Sequence, residues 1–264
     1  MYRLIAKFKI CAVEAFCIVF CVFPNAVKWL YRSTFSKQII SYPLEAGIGK
    51  FRKTAKLYLH GFDNTVLGDK PHAVLLLHGD YGHPFTMLPL ADIANKANIG
   101  PIFSLYLPFD RAHSKISQEL ITQAVDVIQA YINERGGNLN GIIVGGHSKG
   151  GTQAAYQQFV SNDQRIKTVI AFSAPLKAVD SLKGHFDVSL KFTVDRIYEA
   201  IQTRPDVSLY QIVAGNDWCC PREAMVVRAD HQYCRIIVGA MHLNMLYHHE
   251  TYAAFDEFLK KSVV

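Results

Sequence analysis

The sequence predicts an α/β fold: a mostly parallel central sheet covered by helices on both faces. Three observations carry this. From about Lys37 onward, strand-like and helix-like stretches alternate. The strand-like stretches are short and continuously apolar, as in "VLLL" (74–77) and "GIIVGG" (141–146), the pattern of strands buried on both faces. The helix-like stretches repeat apolar residues at three- and four-residue spacing. Strands alternating with such helices imply parallel pairs joined by helical crossovers.

Taken in order, "TAKLYLHGF" (54–62) and "HAVLLLHGD" (72–80) read as strands, and "PFTMLPLADIANKA" (84–97) has helical spacing. "PIFSLYLP" (101–108) is a strand. "SKISQELITQAVDVIQAYINERGG" (114–137) is a long amphipathic helix. Ile116, Leu120, Ile121, Ala124, Val127, Ile128 and Tyr131 mark its apolar face, and Gly136 and Gly137 end it. "GIIVGG" is a short buried strand, followed by a helix over "GTQAAYQQFVSN" (151–162). "IKTVIAFSAP" (166–175), "SLYQIVAGND" (208–217) and "HQYCRIIVGAMH" (231–242) are further strands, and "HHETYAAFDEFLKK" (248–261) a closing helix. Residues 176–205 interrupt the alternation and read as a small helical insertion, lid-like because it falls at the carboxyl edge of the sheet.

Residues 1–35 stand apart from this body, which spans 36–264. Arg3, Lys7 and Lys9 precede the apolar run "ICAVEAFCIVFCVF" (10–23), and Trp29 and Tyr31 follow it. A positive start before an apolar run is the layout of a signal peptide or an uncleaved anchor. The run is shorter than the ~20 residues of a comfortable span. Glu14 inside it would cost roughly 2.5–3.5 kcal/mol at a bilayer centre. The expectation is an N-terminal apolar helix that meets a membrane surface or directs export. The alternative is a cytoplasmic protein with an amphipathic helix on its body.

Half of the 264 residues are hydrophobic, so a core forms without disulfide staples. The net charge of +6 is drawn partly from the N-terminal lysines and arginines, and suits anionic lipid heads. No basic run with interleaved aromatics lies elsewhere, which excludes nucleic acid as a partner. The six cysteines lack the paired C-x-x-C spacing of a zinc site. The histidines form no H-E-x-x-H, and no G-x-G-x-x-G or Walker loop occurs. Neither a metal nor a nucleotide cofactor is expected.

"IIVGGHSKGG" (142–151) is the most informative stretch. Gly146-His147-Ser148-Lys149-Gly150 fits G-x-S-x-G, and it follows a buried strand and opens a helix, the setting of a nucleophile elbow. Side chains at the flanking glycines would clash in so sharp a turn, and Gly145 and Gly151 extend the cleared space. The turn lifts a serine hydroxyl above the sheet edge at a helix N-terminus, which favours negative charge.

With "HGDYG", "GHSKG", "GND" and "GAMH" in this order, the sequence resembles the α/β-hydrolase family, its esterase and lipase branches in particular. "IAFSAP" is similar to the lipase branch as well. The resemblance covers residues ~40 to 264 as an order of elements, and it implies a Ser, acid, His triad. A serine hydroxyl is a poor nucleophile until a base takes its proton. By resemblance the base is His242, directly after the last strand, with His185, His231, His248 and His249 as alternatives. The acid that orients it is Asp217 in "GNDWCCP", with Asp187, Asp195, Asp206 and Asp230 as alternatives. A turn aspartate would also satisfy Gly-Asn-Asp.

An oxyanion hole needs two aimed N–H groups. One belongs to Lys149, after the nucleophile; the other, by resemblance, to Asp80 or, as second choice, Tyr81. The Asp80 carboxylate is expected to point away from the developing charge. His78 is read as a support of that loop, His83 as a solvated loop residue, Lys149 as no base, and Cys219 and Cys220 as packing residues. The expected activity is hydrolysis of a small-molecule or lipid ester. An acyltransferase, a thioesterase or a non-catalytic binding module on the same fold are the alternatives.

Overall fold

Successive residues of strand β3 (His72–Leu77) enter two different cores: Leu75 and Leu77 face one, Val74 and Leu76 the other. A strand apolar at every position needs such cover on both sides. The computed structural model describes residues 40–48, 51–60, 71–80, 82–107, 114–179, 188–204, 207–230 and 232–263. Among these, one sheet of eight strands runs in the order β1 (Ile40–Ile48), β2 (Phe51–His60), β4 (Ile102–Leu105), β3, β5 (Gly141–His147), β6 (Ile166–Phe172), β7 (Ser208–Ala214), β8 (Cys234–Ile237). The pairs β1–β2 and β2–β4 are antiparallel, and every other neighbouring pair is parallel.

The first core lies under helix α2 (Ser114–Asn133), α3 (Lys149–Ala155) with its continuation as a π turn over Tyr156–Val160, and α4 (Val188–Thr203). On the opposite face lie α1 (Leu88–Ala97), entered through a 3-10 turn at Pro84–Met87, and the last helix, α6 (His249–Lys261). A short α5 (Arg222–Met225) sits between β7 and β8. Helix α6 is nailed to the sheet by aromatic rings. Phe255 meets Phe172 edge-on at 5.3 Å, and Phe258 stacks on Tyr210 at 4.5 Å. Truncating either fully buried ring would cost about 3–5 kcal/mol. This packing fixes the chain just beyond His242.

From β3 the chain passes outward to β4 and then back across β3 to β5. Strand order therefore reverses between β3 and β5, and loops leaving their carboxyl ends diverge to leave a crevice. The turn after β3 carries Gly79 and Asp80, and the turn after β5 carries Ser148.

Two elements differ from the sequence expectation. Strand β1 was not anticipated, because Pro43 and Gly47 break its pattern; at the sheet edge a proline interrupts no second ladder. Within the expected insertion, residues 188–203 continue the alternation as a helix. Helix α4 joins the parallel neighbours β6 and β7 and buries Val194, Ile197 and Ile201. The remainder of the expected lid includes 180–187 and 205, outside the described residues. So is the expected apolar helix within 1–35. Among the described residues, no helix is long and apolar enough to cross a membrane.

Candidate active site

Ser148 stands between the end of β5 and the start of α3 with φ 52° and ψ −124°, a conformation that costs a non-glycine residue of order 1–3 kcal/mol. Main chain holds it there. Its N–H donates to the Phe172 carbonyl of β6 at 2.8 Å, and its carbonyl accepts from Gly151 and Thr152 at 3.0 and 3.2 Å. The glycines permit close approach. A Cβ on Gly146 would lie 2.5 Å from the Gly150 backbone, and one on Gly150 2.5 Å from the carbonyls of Leu77 and His78. Strand, strained serine and helix form the geometry of a nucleophile elbow.

Across β6, the loops after β7 and β8 are tied together. Gly215 N–H donates to the Ile237 carbonyl at 2.8 Å, and Asn216 N–H to the Ala240 carbonyl at 2.9 Å. These ties bring Asp217 and His242 into contact. His242 Nδ1 donates to Asp217 Oδ2 at 2.7 Å, and the two side chains are only 6% and 0% exposed. Asp217 Oδ1 accepts from the N–H groups of Cys219 and Cys220 at 2.9 and 2.8 Å. The Ser173 hydroxyl also bonds this carboxylate. Burial alone would raise the Asp217 carboxyl. The bond to His242 and its charge, with the Cys220 N–H and the Ser173 hydroxyl, outweigh burial and hold it below the ordinary carboxylate value. An ionised Asp217 keeps the His242 proton on Nδ1 and leaves a lone pair on Nε2.

His147 links this pair to the elbow. Its Nε2 donates to the His242 backbone carbonyl at 2.8 Å, and the two rings lie 4.8 Å apart. Ser148, Asp217 and His242 thus follow the carboxyl ends of β5, β7 and β8, with His147 tying the elbow to the pair. The turn after β3 closes the other side, where a Cβ on Gly79 would lie 3.0 Å from the Ser148 Cβ. His78 braces that turn: Nδ1 donates to the Gly79 carbonyl at 2.7 Å and Nε2 accepts the Leu107 N–H at 3.0 Å. Burial pushes its pKa down to about 4, so it is a neutral strut.

The Asp80 carboxylate lies 3.0 Å from the Lys149 ammonium. The pair forms because Asp80 follows Gly79, which packs on the elbow, and Lys149 follows Ser148. Tyr81 is outside the described residues. His83 is half-buried rather than solvated; its Nδ1 accepts the Phe85 N–H and caps the 3-10 turn.

The alternatives among the described residues lie elsewhere. His248 caps α6 by accepting the Glu250 N–H, and His249 is exposed beside it. Asp195 and Asp230 are exposed, while His185, Asp187, Asp206 and His231 are outside the described residues. Atoms of Asp217, Cys219 and His242 lie within 4.8 Å of one another. However, Nδ1 and Oδ2 are 2.7 Å apart, whereas two ligands at about 2.0 Å from a tetrahedral zinc sit roughly 3.3 Å apart. The cluster is a hydrogen-bonded pair, not a cage. Cys220 packs with Val213, Met225 and Cys234, and its burial raises the thiol pKa well above the usual value. Sequence reasoning missed two supports, His147 and Ser173. Both sit beside flagged motifs, but only their partners far along the chain reveal what they hold.

No family model matches the chain, and no curated protein matches it. Solved structures do. Est1E from Butyrivibrio proteoclasticus aligns with 84% of this chain and 98% of its own at 16% identity and a TM-score of 0.59. Carboxyl esterase 2 from the mycorrhizal fungus Tuber melanosporum aligns over 86% and 87% at 14% identity and 0.58. EstE1, a thermophilic carboxylesterase cloned from a metagenomic library, aligns over 93% and 97% at 14% identity and 0.56. With the strand order above, this likeness gives the chain the α/β-hydrolase fold.

Proposed function

We propose that the protein is a serine hydrolase that cleaves carboxylic esters. The observation that carries this reading is the buried 2.7 Å pair of His242 and Asp217, held against the elbow of Ser148. Ser148 Oγ attacks the acyl carbon while His242 Nε2 takes its proton. Asp217 stabilises the imidazolium that results. The negative charge on the former carbonyl oxygen is met by the N–H groups of Lys149 and Asp80, each such donor being worth about 10²–10³ in rate. His242 returns the proton to the leaving alcohol, and water releases the acyl group by the reverse steps. The carboxylesterases among the structural neighbours support an ester substrate. A lipid-like ester fits an enzyme brought to a membrane surface by residues 1–35.

Fluorophosphonate labelling tests the reading. Wild type should be labelled, and Ser148→Ala and His242→Ala should not. Equal labelling of Ser148→Ala would refute the nucleophile. A graded series of p-nitrophenyl esters then measures the acyl pocket. Labelling without turnover of any ester would move the assignment to an acyltransferase or thioesterase on the same residues.

A further inference from the structure

His147 has no part in the steps above, yet it is among the most constrained side chains of the site. It closes β5, is 4% exposed, and precedes Ser148 directly. Its Nε2 lies 2.8 Å from the His242 carbonyl. A carbonyl only accepts, so the proton is on Nε2 and the lone pair on Nδ1. The Nδ1 side is closed by Gly79, where a Cβ would come within 2.9 Å. Burial, reinforced by the neighbouring His242 ring, pushes the His147 pKa down to about 3, so the ring keeps this single donor. Other bonds hold the chain ahead of His242. Asn244 Oδ1 accepts the Met241 N–H at 2.7 Å, and the Ala240 carbonyl accepts from Asn216. His147 holds the peptide that leaves His242.

We infer that His147 is a positioning residue: by gripping the His242 carbonyl it sets the height and tilt of the base over Ser148. The inference rests on the serine-hydrolase reading. It makes the residue before the nucleophile a ruler between two loops 95 residues apart. A base displaced by about 1 Å can lose roughly 10²-fold in rate.

The test compares His147→Phe, which fills the space without a donor, with His147→Gln, whose amide Nε2 is the same number of bonds from Cα. With p-nitrophenyl acetate as probe, His147→Phe should lose roughly 10–100-fold in kcat with KM nearly unchanged, and His147→Gln should regain most of it. Unchanged kcat in His147→Phe overturns the inference, as does equal damage by both substitutions, which would indicate packing alone. Nitrogen-15 NMR of histidine-labelled wild type needs no variant. His147 should show a neutral Nε2–H ring from pH 5 to 9, and an Nδ1–H or charged ring would overturn the inference. Failure of the parent reading is distinct: wild type would then resist fluorophosphonate altogether.

Discussion

Around Ser148 the contacts run between backbones, whereas around His242 each contact uses at least one side chain. Ser148, the proposed nucleophile, is pinned by main-chain bonds to β6 and α3 and by glycines with no room for a methyl group. His242, the proposed base, is pinned by Asp217, by His147 and, through its loop, by Asn244. Main-chain contacts admit a serine at that point and exclude bulk beside it. Side-chain contacts place one nitrogen and can be altered an atom at a time. The difference predicts that substitutions on the base side impair catalysis in a folded protein, while bulk added at the glycines of the nucleophile side impairs folding.

The largest effect belongs to the base side. Asp217→Asn preserves shape but removes the charge and the acceptor that keep the proton on Nδ1. kcat should fall about 10⁴-fold while the thermal midpoint moves little by comparison. Steady-state kinetics with p-nitrophenyl acetate checks this, and a loss below tenfold would detach Asp217 from the chemistry.

A second contrast lies among the buried histidines, His78 and His147 beside the elbow and His60 at the far end of β2 against Ser104. Burial pushes His78 and His60 down to about 4 and His147 to about 3. These folded values lie below the unfolded value near 6.5, so on acidification the unfolded chain binds protons first. Each neutral buried histidine therefore removes about 1.4 kcal/mol of stability per pH unit from about pH 6.5 down to its folded value. Urea unfolding between pH 7 and 4.5 should show that steep loss, and His60→Gln should make it shallower. A flat profile would mean that these rings are charged in the fold.

Backbone crowding is the third lever. Gly150→Ala drives a methyl to 2.5 Å from two carbonyls and should cost about 3 kcal/mol or more. Gly136 has φ 73° with nothing within 4 Å of its would-be Cβ, so Gly136→Ala should cost about 1–2 kcal/mol. Denaturant midpoints of the two variants rank them. Equal losses would show that the elbow relaxes, and the backbone account of the nucleophile side would fail.

Legibility in the sequence follows the same division. Local signals were readable: the buried strands, the long amphipathic α2, and the glycines that frame Ser148. The family resemblance pointed to Asp217 and His242, whose side chains meet across 25 residues. What stayed hidden was long-range or against pattern. Pro43 and Gly47 masked an edge strand. The lid-like reading of 176–205 overlaps α4, whose burial of Val194, Ile197 and Ile201 shows only once it is packed on the sheet. The grip of His147 on a carbonyl 95 residues away leaves no periodic trace. Nor does the hold of Ser173, which accepts the Ala214 N–H from φ 42° while bonding Asp217.

The smallest effect probes whether a side chain matters on the nucleophile side at all. Asp80 and Lys149 each follow a residue of the elbow contact, and their ion pair ties together the two peptides proposed to face the oxyanion. The Asp80 side chain is 41% exposed, so solvent and salt screen the pair. A double-mutant cycle of Asp80→Asn and Lys149→Met should give a coupling of about 0–1 kcal/mol in kcat/KM, at most roughly fivefold. It should fade in 1 M salt. Coupling above tenfold that survives salt would mean that the cleft relies on side chains on both sides. The oxyanion turn would then be set by charge, not by the backbone that Gly79 brings against Ser148.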